Sequence, residues 1–345
     1  MKATLPEPAH TGSQTGPHTA PHAAAKAWRP AARHLPVLGA MLVFALASGG
    51  GSLAYDGFLS PQVFLNLLID NAFLLIVAVG MSFVILTGGI DLSVGSVLAF
   101  STMLLAALVE RAQWPPALAI AVVLVAGSAF GALMGWLIAR FRLQPFIVTL
   151  AGMFLARGAC YLISIDSISI THEAYGELAQ WRLPLGESAS LSLGALLALL
   201  VLAWGLWLAH GRPFGRTVFA IGGSETSALL MGLPVARTTV AVYALSGLCA
   251  ALAGVVFSLY MLSGYGLHGL GLELDAIAAV VIGGTLLSGG RGHLLGTLFG
   301  VLVLGVIQTL ISFDGSLSSW WTRIAIGALL LAACLLQRLF ELRRR

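Results

Sequence analysis

An all-α polytopic membrane protein, with about ten transmembrane or re-entrant helices and both termini in the cytoplasm, is the fold class this sequence predicts. Three observations carry that expectation. Hydrophobic residues make up 58% and charged residues 9% of 345 positions, at a mean hydropathy of +0.95, which is too little polar material to cover a soluble globule. The apolar residues fall into ten runs, and Lys and Arg collect in the connections on one side of those runs.

Residues 1–34 are rich in His, Pro, Ala and Thr, carry Lys2, Lys26, Arg29 and Arg33, and show no hydrophobic period. They predict a disordered cytoplasmic tail. His10, His18 and His22 are too irregularly spaced there to argue a metal site. Ala45-Leu46-Ala47 resembles a signal cleavage site, but a 34-residue polar lead is long for a signal peptide, so the first run is read as an uncleaved helix.

The ten runs cover residues 35–54, 71–88, 90–109, 116–139, 145–164, 189–209, 239–263, 274–288, 292–312 and 319–337. Residues 35–338 therefore form the membrane domain, and 339–345 a basic C-terminal tail. Several runs fall short of the ~20 residues needed to span a bilayer. Those at Gly88-Gly89 and between Glu273 and Gly290 are expected to be broken or re-entrant. Ser60-Pro61 ahead of Val63, Phe64, Leu67 and Leu68 predicts a capped amphipathic helix, either interfacial or buried as a connector.

With the N-terminus inside, the inner side also receives Arg140, Arg142, Arg212, Arg216, Arg237, Arg291, Arg338 and Arg343 to Arg345, and the outer side only Arg111 and Arg182. Trp114, Trp320 and Trp321 then lie near the outer interface, and Trp136, Trp204 and Trp207 near the inner one. Gly127-x3-Gly131-x-Leu133-x-Gly135-x-Leu137 recurs as Gly292-x3-Gly296-x-Leu298-x-Gly300-x-Leu302. This is either an internal repeat or two independent small-residue packing ladders.

Several chemistries are set aside. Gly264-Tyr265-Gly266-Leu267-His268-Gly269 matches a dinucleotide fingerprint but follows an apolar helix rather than a strand. His172-Glu173 lacks the second histidine of a zinc protease, and Cys160, Cys249 and Cys334 are single residues in apolar runs. The only lysines are Lys2 and Lys26, so no phosphate-binding P-loop exists in the chain. Any ATP-driven work must come from a partner.

A docking point for such a partner is expected in the inner loop 210–238. Ser224 can cap a helix, Glu225 suits its N-terminal dipole, Leu229, Leu230 and Met231 give an apolar face, and Gly232 with Pro234 ends it. The alternative is a surface helix folded back on the bundle. Within the membrane, Asp91, Arg157, Glu273 and Asp275 are charges that need partners, with Arg157 expected to clamp a carboxylate. Asn71, Ser93, Thr285 and Gln308 can offer hydrogen bonds to a polyol or to a neighbouring helix. Asn71, Asp91, Ser93, Ser96, Asp275 and Gln308 are the candidate pathway residues. Asp91, Ser93 and Ser96 follow Gly88-Gly89 and are expected to cap the free N–H groups of the next helix.

Four stretches then carry a resemblance. Thr87 to Phe100 (TGGIDLSVGSVLAF), Phe219 to Gly232 (FAIGGSETSALLMG), Glu273 to Gly290 (ELDAIAAVVIGGTLLSGG) and Gly296 to Gly300 (GTLFG) resemble permease subunits of bacterial sugar-importing ABC transporters of the ribose type. The likeness runs from about Leu59 to Arg338. Within that family, Asp70 to Phe73, Thr149 to Gly158 and Phe313 to Gly327 look most like permeases of galactofuranose importers.

The resemblance implies a multi-pass subunit of the bacterial inner membrane that forms the translocation pathway for a monosaccharide. It implies four kinds of partner: a second permease copy or paralogue, cytoplasmic ATP-binding subunits that hold ATP and Mg, a periplasmic sugar-binding protein, and membrane lipid. No cofactor and no nucleic acid are implied for this chain. The Arg212 to Arg237 loop matches the ATPase-coupling region, with Ser224 standing where relatives commonly have Asn. An ion-coupled secondary sugar transporter, with Asp91 as the coupling acid, is the rival from another class. An intramembrane enzyme is the third reading, and it would need two of Asp91, Asp275 and His268 in one cavity.

Overall fold

The computed structural model describes residues 30–58, 60–186, 189–315, 318 and 320–342. Residues 1–29 of the expected tail and the last three residues lie outside this set. Each of the ten apolar runs contains a helix, and among the described residues four further helices lie in the connections.

In chain order the helices are α1 (Pro30–Ala54), α2 (Pro61–Asp70), α3 (Ala72–Leu86), α4 (Val94–Ala106), α5 (Pro116–Phe141), α6 (Pro145–Ile163) and α7 (Glu173–Gln180). They continue as α8 (Leu193–Gly211), α9 (Pro213–Gly223), α10 (Glu225–Leu230), α11 (Val235–Met261), α12 (Leu272–Ile282), α13 (Leu294–Asp314) and α14 (Trp320–Leu342). A π-helical turn, Ala107–Arg111, prolongs α4. The first helix thus begins five residues earlier than the sequence suggests.

Among the described residues seven helices are long and apolar enough to cross a membrane, and an eighth span results if α2 and α3, bent by 57°, count as one. Ser60 accepts from Val63 N–H and Pro61 takes the first helical position, so α2 starts as its sequence requires. It ends at Asn71, whose Nδ2 donates to the Leu67 carbonyl at 3.0 Å. The side chain thereby satisfies a terminal carbonyl at the bend. The 11 residues of α12 reach about 16 Å, half of the ~30 Å hydrocarbon layer, so this element is too short to cross by itself.

Helix α3 is apolar on every side, and every residue except Phe73 is buried, which makes it the axis of the bundle. Against it and α4 lies α11, and α5 packs along the far side of α11. The seam on α5 is Ala119, Val123, Gly127, Gly131 and Gly135, spaced every fourth residue, while Val125, Leu133 and Trp136 face outward. A Cβ at Gly131 would run into the Tyr243 carbonyl, and one at Gly127 into Ala251. The second ladder works the same way: Gly296 and Gly300 of α13 lie against the backbone of Gly283 and Ala279. Both ladders are thus close-approach seams between helices.

Two short antiparallel pairs tie the outer loops. One joins β1 (Ile168–Ser169) to β4 (Ser263–Gly264), with Ile168 opposite Gly264; the other joins β2 (Arg182–Pro184) to β3 (Ser190–Ser192), with Leu183 opposite Leu191. Beneath them Tyr175, fully buried, shares a hydrogen bond of 2.6 Å with Ser258 of α11.

Candidate functional site

Three places hold most of the residues that the sequence singles out. The first is the break between α3 and α4, residues 87–93. Thr87 donates its hydroxyl to the Val84 carbonyl and Gly89 N–H returns to the same oxygen, which closes α3 and turns the chain out of the helix. Asp91 then accepts from Ser93 N–H at 2.9 Å and Ser93 Oγ at 2.6 Å through Oδ1, and from Ser246 Oγ of α11 at 2.7 Å through Oδ2. Asp91, Ser93, Ser96 and Ser246 are all no more than 3% exposed. No cation pairs with Asp91 among the described residues, so its carboxyl oxygens are met by three donors alone.

The expected capping is corrected in detail. Ser93 is the N-cap of α4 but makes no side-chain cap bond, and Ser96 donates to the Ser93 carbonyl instead of accepting from a free N–H. Asp91 instead closes a local turn over Ser93, because its carboxylate accepts the Ser93 N–H two residues on. Thr149 of α6 donates to the Ile90 carbonyl at 3.2 Å and fixes the break from the other side. Beside it the buried Tyr243 hydroxyl has no hydrogen-bond partner. This acidic knot is buried in protein; a groove of about 480 Å³, lined by Ser128, Trp204, Leu208 and Arg212 among others, touches none of its residues.

The second place is the outer end of α12. Asp275 is held by Arg323 of α14, whose Nη1 lies 2.7 and 2.9 Å from the two carboxylate oxygens. The pair is partly open, with the Arg323 side chain 51% and the Asp275 side chain 19% exposed. Glu273 is half-buried, and its Oε2 is without a hydrogen-bond partner, set against Gly95. Arg157 does not clamp a carboxylate as expected. Its Nη1 donates to the carbonyls of Gly266 and His268 at 2.6 and 2.8 Å, because the glycine-rich loop 264–271 brings backbone oxygens closer than Glu273 can come. His268 stands beside Thr102 and Phe257, Asp91 bonds Ser93 and Ser246, and Asp275 bonds Arg323, so no hydrogen bond joins any two of the three.

The remaining pathway candidates stand apart from Asp91. Asn71 is 7% exposed, braces the α2–α3 bend and touches Gly305 of α13; Gln308 lies on the exposed face of α13. Thr285, also named for hydrogen bonding, is 1% exposed and packed against Gly292.

The third place is the inner loop, where the expected cap, apolar face and glycine stop are all present. Ser224 Oγ accepts from Ser227 N–H at 3.2 Å, Glu225 opens α10, and Gly232 ends it with φ +73°. Leu229, Leu230 and Met231 are 51, 85 and 66% exposed. Ala228 points the other way, fully buried against Ile221 and Val235. Helix α9 fills the first half of this loop and was not foreseen, although Pro213 at its first position is a start signal.

Comparison with known proteins places this geometry. The family model described as "Branched-chain amino acid transport system / permease component" matches residues 63–334. The chain is 54% identical over 308 residues to the inner membrane ABC transporter permease protein YjfF of Escherichia coli (strain K12), covering 89% of this chain and 92% of that protein. It is 41% identical over 305 residues to the ribose import permease protein RbsC of Bacillus subtilis (strain 168), at 88% and 92% coverage. It is 39% identical over 319 residues to the fructose import permease protein FruG of Bifidobacterium longum (strain NCC 2705), at 91% and 93% coverage. No solved structure matches the chain.

Proposed function

This chain belongs to the branched-chain amino acid transport system / permease component family, within it to the sugar ABC permeases of the ribose type, and on that premise we propose the substrate and the assembly it serves. It is a multi-pass inner-membrane subunit and not an enzyme; hydrolysis of ATP belongs to a separate subunit. Its cargo is a monosaccharide, delivered by a periplasmic binding protein and passed between this subunit and a second permease copy or paralogue. Galactofuranose is the specific sugar we assign, on the motif likeness of Asp70 to Phe73, Thr149 to Gly158 and Phe313 to Gly327.

The observation that carries the coupling reading is α10. Its tip of Leu229, Leu230 and Met231 stands in solvent on the arginine-rich side, while Ala228 anchors it to the protein. Such a tip suits insertion into a groove of an ATP-binding subunit. Residues 35–338, in helices that begin at Pro30 and run to Leu342, form the permease domain, and ATP with Mg stays in the partner. Asp91 serves as a brace of the α3–α4 break, and Asp275 and Gln308, both reachable from outside the bundle, line the pathway.

The test is reconstitution in liposomes with the cognate ATP-binding and sugar-binding proteins. Uptake of galactofuranose is expected only with ATP and all components. Uptake driven by a pH gradient without the ATP-binding subunit would favour the secondary-transporter reading instead, and stabilisation of the binding protein only by pentoses would move the substrate to the ribose class.

A further inference from the structure

Three backbone segments from distant parts of the chain meet with no side chain between them. Gly290 N–H donates to the Leu86 carbonyl at 2.9 Å, so the loop after α12 hangs on the last turn of α3. A Cβ at Gly222, near the end of α9, would collide with that same Leu86 carbonyl and with the Gly290 amide. One at Gly289 would meet Gly88 and Gly222, and one at Gly290 would meet Gly222 and Gly223. Gly289 and Gly290 have φ of +82° and +71°, a conformation that only glycine adopts without strain.

We propose that Gly222 is a positioning residue for coupled transport: it presses α9, and α10 two residues beyond it, directly onto both helix breaks. This rests on the reading of α10 as the ATPase-facing helix. Ordinary helix contacts run through side chains that change rotamer and absorb small shifts. At this junction the touching atoms are main chain, so a shift of α9 must carry Leu86 to Gly88 and Gly289 to Gly290 with it or break the Leu86–Gly290 bond. Each break leads onward. The first holds Asp91, which is bonded to Ser246 of α11, and the second leads into α13, whose Gly296 lies on Gly283. One push on α10 thereby reaches α3, α4, α11 and α13 together.

The neighbouring Gly223 supplies the control, because its Cβ would have nothing within 4 Å. The experiment compares Gly222→Ala and Gly223→Ala in the complete importer by hydrogen exchange over residues 84–92, 218–224 and 283–292 and by sugar moved per ATP hydrolysed. Gly222→Ala is expected to raise exchange at both breaks and to lower sugar per ATP about tenfold, within the range seen for residues that carry coupling, while Gly223→Ala matches the parent. Unchanged exchange and coupling in Gly222→Ala, or equal damage in Gly223→Ala, would overturn the proposal. Should Gly222→Ala not fold, the unaltered importer is read with and without a trapped nucleotide, where the three segments must change protection together; independent change in one sinks the idea. The exchange arm reads the junction even if no ATP-binding subunit associates, so failure of the ABC reading is told apart from failure of the junction.

Discussion

Ser246, in the middle of α11, donates its hydroxyl to Asp91 Oδ2 at 2.7 Å and so ties the longest helix of the bundle to the break between α3 and α4. Asparagine at position 91 preserves this arrangement: its Oδ1 still accepts from Ser93, and its Nδ2 donates to Ser246 Oγ. Asp91→Asn is therefore expected to fold and transport, whereas Asp91→Ala strands buried hydroxyls and loses about 1–3 kcal/mol. Thermal unfolding in detergent and sugar uptake check this. Loss of transport by a well-folded Asp91→Asn protein would show that the charge itself is needed.

Leu230 is 85% exposed and Ala228 is fully buried on the same short helix. Leu230→Asp should leave the unfolding temperature unchanged and abolish co-purification of the ATP-binding subunit. Ala228→Leu should act oppositely on stability, overpacking the contact with Ile221 and Val235 at a cost of about 1–3 kcal/mol. If Leu230→Asp still binds the ATPase at wild-type strength, α10 is not the docking helix.

Gly131 and Gly158 differ in what surrounds them. A methyl group at Gly131 meets the Tyr243 main chain of α11, while one at Gly158 of α6 meets nothing. Gly131→Ala is expected to lower thermal stability by about 1–3 kcal/mol through forced separation of α5 and α11. Gly158→Ala should be neutral or gain up to about 1 kcal/mol from helix propensity. Equal effects at the two sites would refute the close-packed seam.

Arg323 and Asp275 join α14 to α12 through one guanidinium nitrogen that reaches both carboxylate oxygens, in a pair partly open to solvent. Stability depends on it little, about 0–1 kcal/mol, as for other exposed pairs. Transport is expected to depend on it more. Asp275→Arg and Arg323→Asp should each reduce uptake, and the double exchange should restore much of it. Absence of rescue would mean that the two positions act separately.

The helical segments were legible because a bilayer demands them: about ten apolar runs, glycine breaks and an arginine-rich side leave few alternatives. The α10 cap, apolar tip and glycine stop were equally legible, since all of their determinants lie within nine residues. The partners of Asp91, Arg157 and Asp275 were not. Ser246 is 155 positions from Asp91, and the carbonyls that hold Arg157 are more than 100 positions away. A carbonyl leaves no mark in a sequence, because every residue has one.

Taken alone, the sequence determined where the apolar helices run, where they break and that ATP must be hydrolysed elsewhere. Those properties follow from local composition and from the cost of placing polar backbone or charge in hydrocarbon. Only the tertiary structure decided which breaks touch. The approach of Gly222 to Leu86 and Gly290 depends on how α3, α9 and the loop after α12 pack in space. It is made by atoms common to all residues, and the sequence marks it only by the glycines that leave room for it.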